Sequence, residues 1–154
     1  MTEKQERTLV LLKPDAVQRG LVGTIISRIE SRGLKMVAAR MLHMDKDLAY
    51  RHYEPHVGRP FFDDLIRFIC SGPIVAMVWQ GPGAVTLVRN TMGSTDPGTA
   101  LPGTIRGDMA VDIGQNLIHG SDSLETAHHE IALFFCADDL LDYPKAIDTW
   151  IIGS

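Results

Sequence analysis

Glycine and proline punctuate this chain so often that no apolar run can become more than a short strand or a few turns of helix. Arg7–Lys13 is an apolar run stopped by Pro14, the pattern of a buried strand. From Leu21 onward, Val22, Ile25, Ile26 and Ile29 recur at steps of three and four, which is a helix face, and Gly33 stands where a glycine ends a helix. Leu34–Met44 is apolar with partial alternation and reads as a second strand. Pro60 precedes Phe61–Ser71, whose Phe62, Leu65, Ile66 and Ile69 again fit a helix. Gly72-Pro73 breaks it before a buried strand, Ile74–Trp79, and a short helix, Gly83–Met92. Residues 93–120 show no sustained period and read as a long loop, of the kind that is functional or disordered. A short helix over Ser123–His129, capped by Ser121 or Asp122, and a last strand over Glu130–Phe135 follow. The tail from Ala137 carries Leu140, Leu141, Tyr143 and Trp150, which predicts docking on the body. The order strand, helix, strand, helix, strand, helix, loop, strand predicts one α/β domain over residues 1–154.

Composition narrows the function classes. Apolar residues make up 45% and charged residues 22%, an ordinary globular mixture. No run approaches the roughly 18–20 apolar residues of a membrane span. Met1–Arg7 is polar with no apolar stretch behind it, so no secretory signal is expected. Cys70 and Cys136 lie in apolar stretches without CxxC spacing and read as buried, reduced thiols of a cytoplasmic protein. A net charge of −4 is no footprint for nucleic acid, though it leaves room for a small anionic ligand.

Several chemistries are missing their motifs. There is no GxxxxGK[ST], no GxGxxG after the first strand and no HExxH. His52 and His56 are four apart, but Pro55 spoils a regular metal-binding face. His128-His129-Glu130 reads as a helix end beside a strand. The long loop is more suggestive. Pro102–Asp108 sets Arg106 among small residues, and Asn116–Ser123 sets His119 before Gly120 at a turn that a bulky anion can approach. By residue chemistry alone, His119 is either a catalytic group or a hydrogen-bonded structural histidine.

The run N-x-x-H-G-S-D-S around His119 resembles the active-site signature of the nucleoside diphosphate kinases. Lys13-Pro14-Asp15, Val17–Leu21, Arg59–Phe62, Ser71–Pro73, Ala76–Trp79, Gly93-x-Thr95-x-Pro97 and Pro102–Asp108 resemble further blocks of that family in the same order. Ala16 departs from the usual glycine after K-P-D, and would be strained if that position needed a positive φ. Gly81-Pro82-Gly83 is also atypical and bears on how the third helix starts.

The resemblance implies a ferredoxin-like α+β sandwich with a four-stranded antiparallel sheet. It implies ping-pong transfer of a γ-phosphate between nucleoside triphosphates and diphosphates through a phosphohistidine at His119. A neutral imidazole, with an ordinary pKa of about 6.5, is a competent nucleophile near neutrality. In this reading Nδ1 of His119 attacks, Glu130 accepts from the other ring nitrogen, and Ser121 supports the pair. Lys13, Arg89, Thr95 and Arg106 resemble the family's phosphate contacts, with Lys13 and Tyr53 nearest the transferred group. Asn116 and Lys13 reach the ribose, while Phe61, Leu65 and Ile113 sandwich the base, so base tolerance is broad. Magnesium is implied as the nucleotide's counterion, without a protein-built site. A homohexamer is implied, with a tetramer as the other family assembly, and no membrane or nucleic-acid partner. A histidine phosphocarrier or protein histidine kinase is the alternative reading.

Overall fold

A computed structural model of the chain describes residues 5–153. Its centre is a four-stranded sheet in the order β2-β3-β1-β4, formed by β1 (Gln5–Leu12), β2 (Lys35–Leu42), β3 (Ile74–Pro82) and β4 (Ile118–Gly120). Every neighbouring pair is antiparallel. Eight α-helices join the described strands: α1 (Pro14–Gln18), α2 (Val22–Ser31), α3 (Lys46–His52), α4 (Phe62–Ile69), α5 (Ala84–Met92), α6 (Ile105–Met109), α7 (Leu124–Phe134) and α8 (Asp148–Ile151).

The pleat of β1 explains the layering. Successive side chains point to opposite faces of a strand, so Leu9 and Leu11 enter one core and Val10 and Leu12 the other. The first core is closed by residues of α3, α4 and α7, including Ala49, Ile66, Ile131 and Phe134. The second is closed by α2 and α5 through Ile25, Ile29, Val88 and Met92. A strand covered on both sides reads as a continuous apolar run, which is why β1 and β3 were plain in the sequence. The pattern β1-α2-β2-β3-α5-β4, with α2 and α5 in the same layer, is the ferredoxin-like arrangement.

Several expectations need correction. Glu130–Phe135 is not a strand: α7 runs unbroken from Leu124 to Phe134, burying Ala127, Glu130, Ile131 and Phe134 at helical spacing. A short apolar run satisfies either period, and here tertiary packing decided. Its cap is Ser123, whose side chain accepts from Thr126 N–H, and not Ser121 or Asp122. The stretch 93–120 is no plain loop, since it contains α6 and ends in β4, the true last strand. Helix α3 was not foreseen, although Asp45 caps it by accepting from Leu48 N–H. The cysteines are free, but Cys136 is exposed and Cys70 only half-buried.

Two local worries dissolve. Ala16 lies inside α1, fully buried, and is not among the residues with positive φ. Gly83 precedes α5 with φ +60°, a conformation that suits glycine, so the Gly-Pro-Gly run starts the helix without strain.

Candidate active site

Strand register places His119. It pairs with Leu11 across β1 and β4, and directly opposed residues share one face of a sheet. Its imidazole therefore points into the layer of α3 and α7. Glu130 comes from α7 and its Oε2 lies 2.7 Å from His119 Nε2. Glu130 is 4% exposed, whereas the His119 side chain keeps 24% of its surface open. Burial works against charge on Glu130, but the His119 hydrogen bond and the neighbouring imidazoles outweigh it and hold the carboxyl below its usual range. An ionised carboxylate only accepts, so Nε2 of His119 carries the proton and donates. Nδ1 is left as the nitrogen with a free lone pair. Ser121 is fully buried and anchored to β1, its Oγ accepting from Leu9 N–H at 3.3 Å. Its hydroxyl also helps hold the Glu130 charge.

The chain approaches His119 through a strained turn. Leu117 has φ +74°, and Ile118 N–H donates to Asn116 C=O at 2.9 Å across it. This is the less favourable hand of a γ-turn, at a residue that is not glycine. Three bonds from the Lys13-Pro14-Asp15 segment hold it. Asp15 Oδ2 accepts from Leu117 N–H at 3.0 Å, Lys13 N–H donates to Leu117 C=O at 2.9 Å, and Lys13 Nζ donates to Asn116 Oδ1 at 2.8 Å.

Three cations bond to the segment that carries His119 or to the residues flanking it. Burial first, and then Arg106, lower the Lys13 ammonium to about 8, while Asp15 pulls the other way. Arg106 is 5% exposed. Its guanidinium donates to the carbonyls of Asn116, Gly93 and Ile118 at 3.2, 3.1 and 2.6 Å. It thus ties the start of the 93–118 segment to its end. Arg89, an exposed residue of α5, donates to Gly120 C=O at 3.2 Å. Asn116 bridges, accepting from Lys13 and donating through Nδ2 to Thr95 C=O at 2.9 Å. Lys13, Arg89, Thr95, Arg106 and Asn116 are thereby linked to one another or to the His119 strand.

Phe61 and Ile113 are exposed at 51% and 60%, and Leu65 is partly buried against the first core. Tyr53 is 5% exposed with its hydroxyl unpartnered, and burial raises its pKa. The His128-His129 pair is exposed on α7 while Glu130 faces inward, so the three do not converge. A groove of about 770 Å³, lined in part by Arg7, His128, Ile131 and Phe135, includes none of Lys13, Tyr53, Arg89, Arg106, Asn116, His119 or Glu130.

Sequence reasoning missed two residues. Asp15 entered only as part of a motif, with no sign that it clamps Leu117. His52 was weighed as a metal ligand with His56. Instead it ends α3, is 6% exposed, and meets the His119 ring edge-on at 4.7 Å.

The model of the family described as nucleoside diphosphate kinase matches residues 6–140. The chain belongs to the nucleoside diphosphate kinase family. A nucleoside diphosphate kinase of Thermomicrobium roseum is 57% identical, covering 96% of this chain and 99% of its own length. One from Natronomonas pharaonis is 54% identical over 95% of this chain and 96% of its own. The structure of a halophilic nucleoside diphosphate kinase from Halobacterium salinarum in complex with CDP superposes with a TM-score of 0.95 at 50% identity, covering 97% of this chain and all, 100%, of that one. A family member from Babesia bovis gives 0.92 at 44% identity, covering 96% of this chain and 99% of its own. The antiparallel ferredoxin-like fold is thus that of solved nucleoside diphosphate kinases.

Proposed function

We propose that this member of the family moves the terminal phosphate of a nucleoside triphosphate to a nucleoside diphosphate through a covalent phosphohistidine at His119. The observation that carries the reading is the Nε2–Glu130 bond of 2.7 Å, which commits one ring nitrogen and leaves the other as a lone-pair donor. In the first half-reaction Nδ1 forms a bond to the γ-phosphorus, and the bond from that phosphorus to the β–γ bridging oxygen breaks. The electron pair leaves with the nucleoside diphosphate. Positive charge that develops on the ring is met by Glu130. In the second half-reaction a terminal oxygen of the acceptor diphosphate attacks the phosphohistidine, and the N–P pair returns to Nδ1.

The surrounding residues suit phosphoryl transfer, which depends mainly on positioning and electrostatic stabilisation. Lys13 and Arg89 supply charge and donors, Arg106 supplies charge while holding the loop, and Asn116 and Thr95 serve the sugar and phosphates. Tyr53 lies near the transferred group. Phe61, Leu65 and Ile113 offer apolar surface for a base, which gives stacking without strong base selection. The CDP bound to the Halobacterium salinarum relative favours a nucleotide ligand.

Magnesium enters with the nucleotide as its counterion. His52, His119 and Glu130 bring ligand atoms within 4.8 Å of one another, the one such cluster among the described residues. Two imidazoles and one carboxylate do not suit a cation that takes six oxygens. The 2.7 Å gap is also a hydrogen bond, shorter than the about 3.3 Å between ligands of a tetrahedral metal. A cytoplasmic homohexamer of one-domain subunits remains the favoured assembly, with a tetramer as the other family form; no helix among the described residues is long and apolar enough to cross a membrane.

Incubation with γ-labelled ATP, then a chase with assorted diphosphates, tests the reading. An acid-labile, alkali-stable label that discharges onto every diphosphate is expected. Label that stays on the protein favours a phosphocarrier or protein histidine kinase. Unimpaired exchange by His119→Ala overturns the proposal.

A further inference from the structure

His52 has no part in the mechanism above, yet it sits beneath it. As the last residue of α3 it is walled in by Tyr53, Phe134 and His119, with ring centroids 4.6, 5.5 and 4.7 Å away. Neither of its ring nitrogens completes a hydrogen bond. Nδ1 nevertheless lies 3.3 Å from Glu130 Oε2, the same oxygen that holds His119 Nε2. Two imidazoles thus converge on one carboxylate oxygen, one closely and one at longer range.

We propose that His52 is a positioning residue for His119, its Nδ1–H facing Glu130 Oε2 at longer range as a neutral dipole beside the carboxylate, which His119 alone holds by a hydrogen bond. This rests on the reading of His119 as the phosphate carrier.

The protonation state follows from the surroundings. Burial above all, then the neighbouring His119, drive the His52 imidazole down to about 3; Lys13 and His56 push the same way and Glu130 opposes them. Tyr53, the remaining titratable neighbour, is neutral with its pKa raised. His52 is therefore uncharged at any working pH and has one proton to place. A bare nitrogen lone pair at 3.3 Å from a carboxylate oxygen is repulsive, whereas an N–H there is attractive. The proton belongs on Nδ1.

The consequence is a division of labour. His52 gives Glu130 a neutral dipole that favours its ionised form without competing for a proton. That keeps the carboxylate an acceptor and spares His119 the full pull of an unshared anion. Remove the dipole and Glu130 becomes more basic, binds His119 more tightly, and favours the imidazolium, which has no lone pair on Nδ1. Groups behind metal-ligating histidines matter in the same way, typically about 10–100-fold.

The experiment begins with the unaltered protein. Long-range ¹H–¹⁵N correlation spectra of its histidines should show His52 protonated at Nδ1 and bare at Nε2; the reverse tautomer overturns the proposal. This measurement uses no phosphate, so its outcome is independent of whether His119 carries one. Next, His52→Phe keeps an aromatic ring without the donor. The expected result is about tenfold slower phosphorylation of His119, an acid side of the pH–rate profile moved to higher pH, and an unchanged KM for nucleotide. His52→Asn, whose amide N–H falls near the Nδ1 position, should restore most of the rate and the original profile. A Phe variant with the parent's rate and profile overturns the assignment. So does an equal loss in both variants with no shift in profile, which is what mere packing would give.

Discussion

Asp15 and Leu117 are far apart in the chain yet joined by a buried bond of 3.0 Å, from the amide of a left-handed leucine to the aspartate's Oδ2. Asp15→Ala leaves that amide unsatisfied in a buried setting, which costs about 1–3 kcal/mol. The γ-turn then loses one of the three bonds that hold it, two residues before His119. Urea unfolding should show the lost stability, and single-turnover labelling should show slower phosphorylation. Asp15→Asn retains an acceptor and should lose markedly less on both counts.

Glu130 gives a pH-dependent prediction with a definite sign. Its carboxyl is held below the usual range in the fold, so its stabilising effect is complete above the unfolded value of about 4.3 and is lost as pH falls through the lower folded value. The stability difference between the parent and Glu130→Gln should be constant from neutrality down to about pH 5 and shrink in stronger acid. Thermal melts across pH 3–7 (about the accessible range for such work) measure it. At neutral pH the same variant should phosphorylate His119 about 10–100-fold more slowly.

Lys13 gives a slope of the same sign in a more alkaline window. With its ammonium lowered to about 8 chiefly by burial, the fold binds fewer protons here than the open chain between that value and about 10.4. Stability contributed at this position therefore rises as pH climbs through that window. Activity should do the opposite, with kcat/KM declining above pH about 8 as the charge is lost. Lys13→Arg, charged throughout, should be slower at neutrality but lack that alkaline decline.

Arg106 holds three carbonyls with three nitrogens of its guanidinium. Arg106→Lys keeps the charge but not the fork. Each lost charge-assisted bond is worth about 1.5–3 kcal/mol, and a loss of at least one such increment is expected by denaturant unfolding. Hydrogen exchange should quicken along 93–118 before it does in β1 or β3.

What the sequence could reveal followed from how local each cause is. The runs of β1 and β3 are apolar because both faces are covered, and that is visible residue by residue. The helix α2 announces itself through Ile25 and Ile29, and ends at Arg32 before Gly33 with φ +102°. The three-residue β4 has no pattern of its own; only its register with β1 makes it a strand. Glu130–Phe135 looked like a strand because EIALFF lacks the polar interruptions that mark a helix face. His119 stood out through its neighbours' resemblance to a family, not through its own chemistry. His52 was unreadable, since its meaning comes from the end of α3 meeting β4 and α7 across the fold. Asp15 was hidden similarly, because nothing near it in the chain hints at a strained leucine at the start of the neighbouring strand.

Mounting His119, the proposed nucleophile, opposite Leu11 on a strand hydrogen-bonded to a deeply covered segment ties the ring to the core of the sheet. Turnover should persist undiminished on warming until the whole sheet gives way. It should then vanish in the same cooperative step that calorimetry records, without the earlier fading seen where a reactive group rides on a fraying loop.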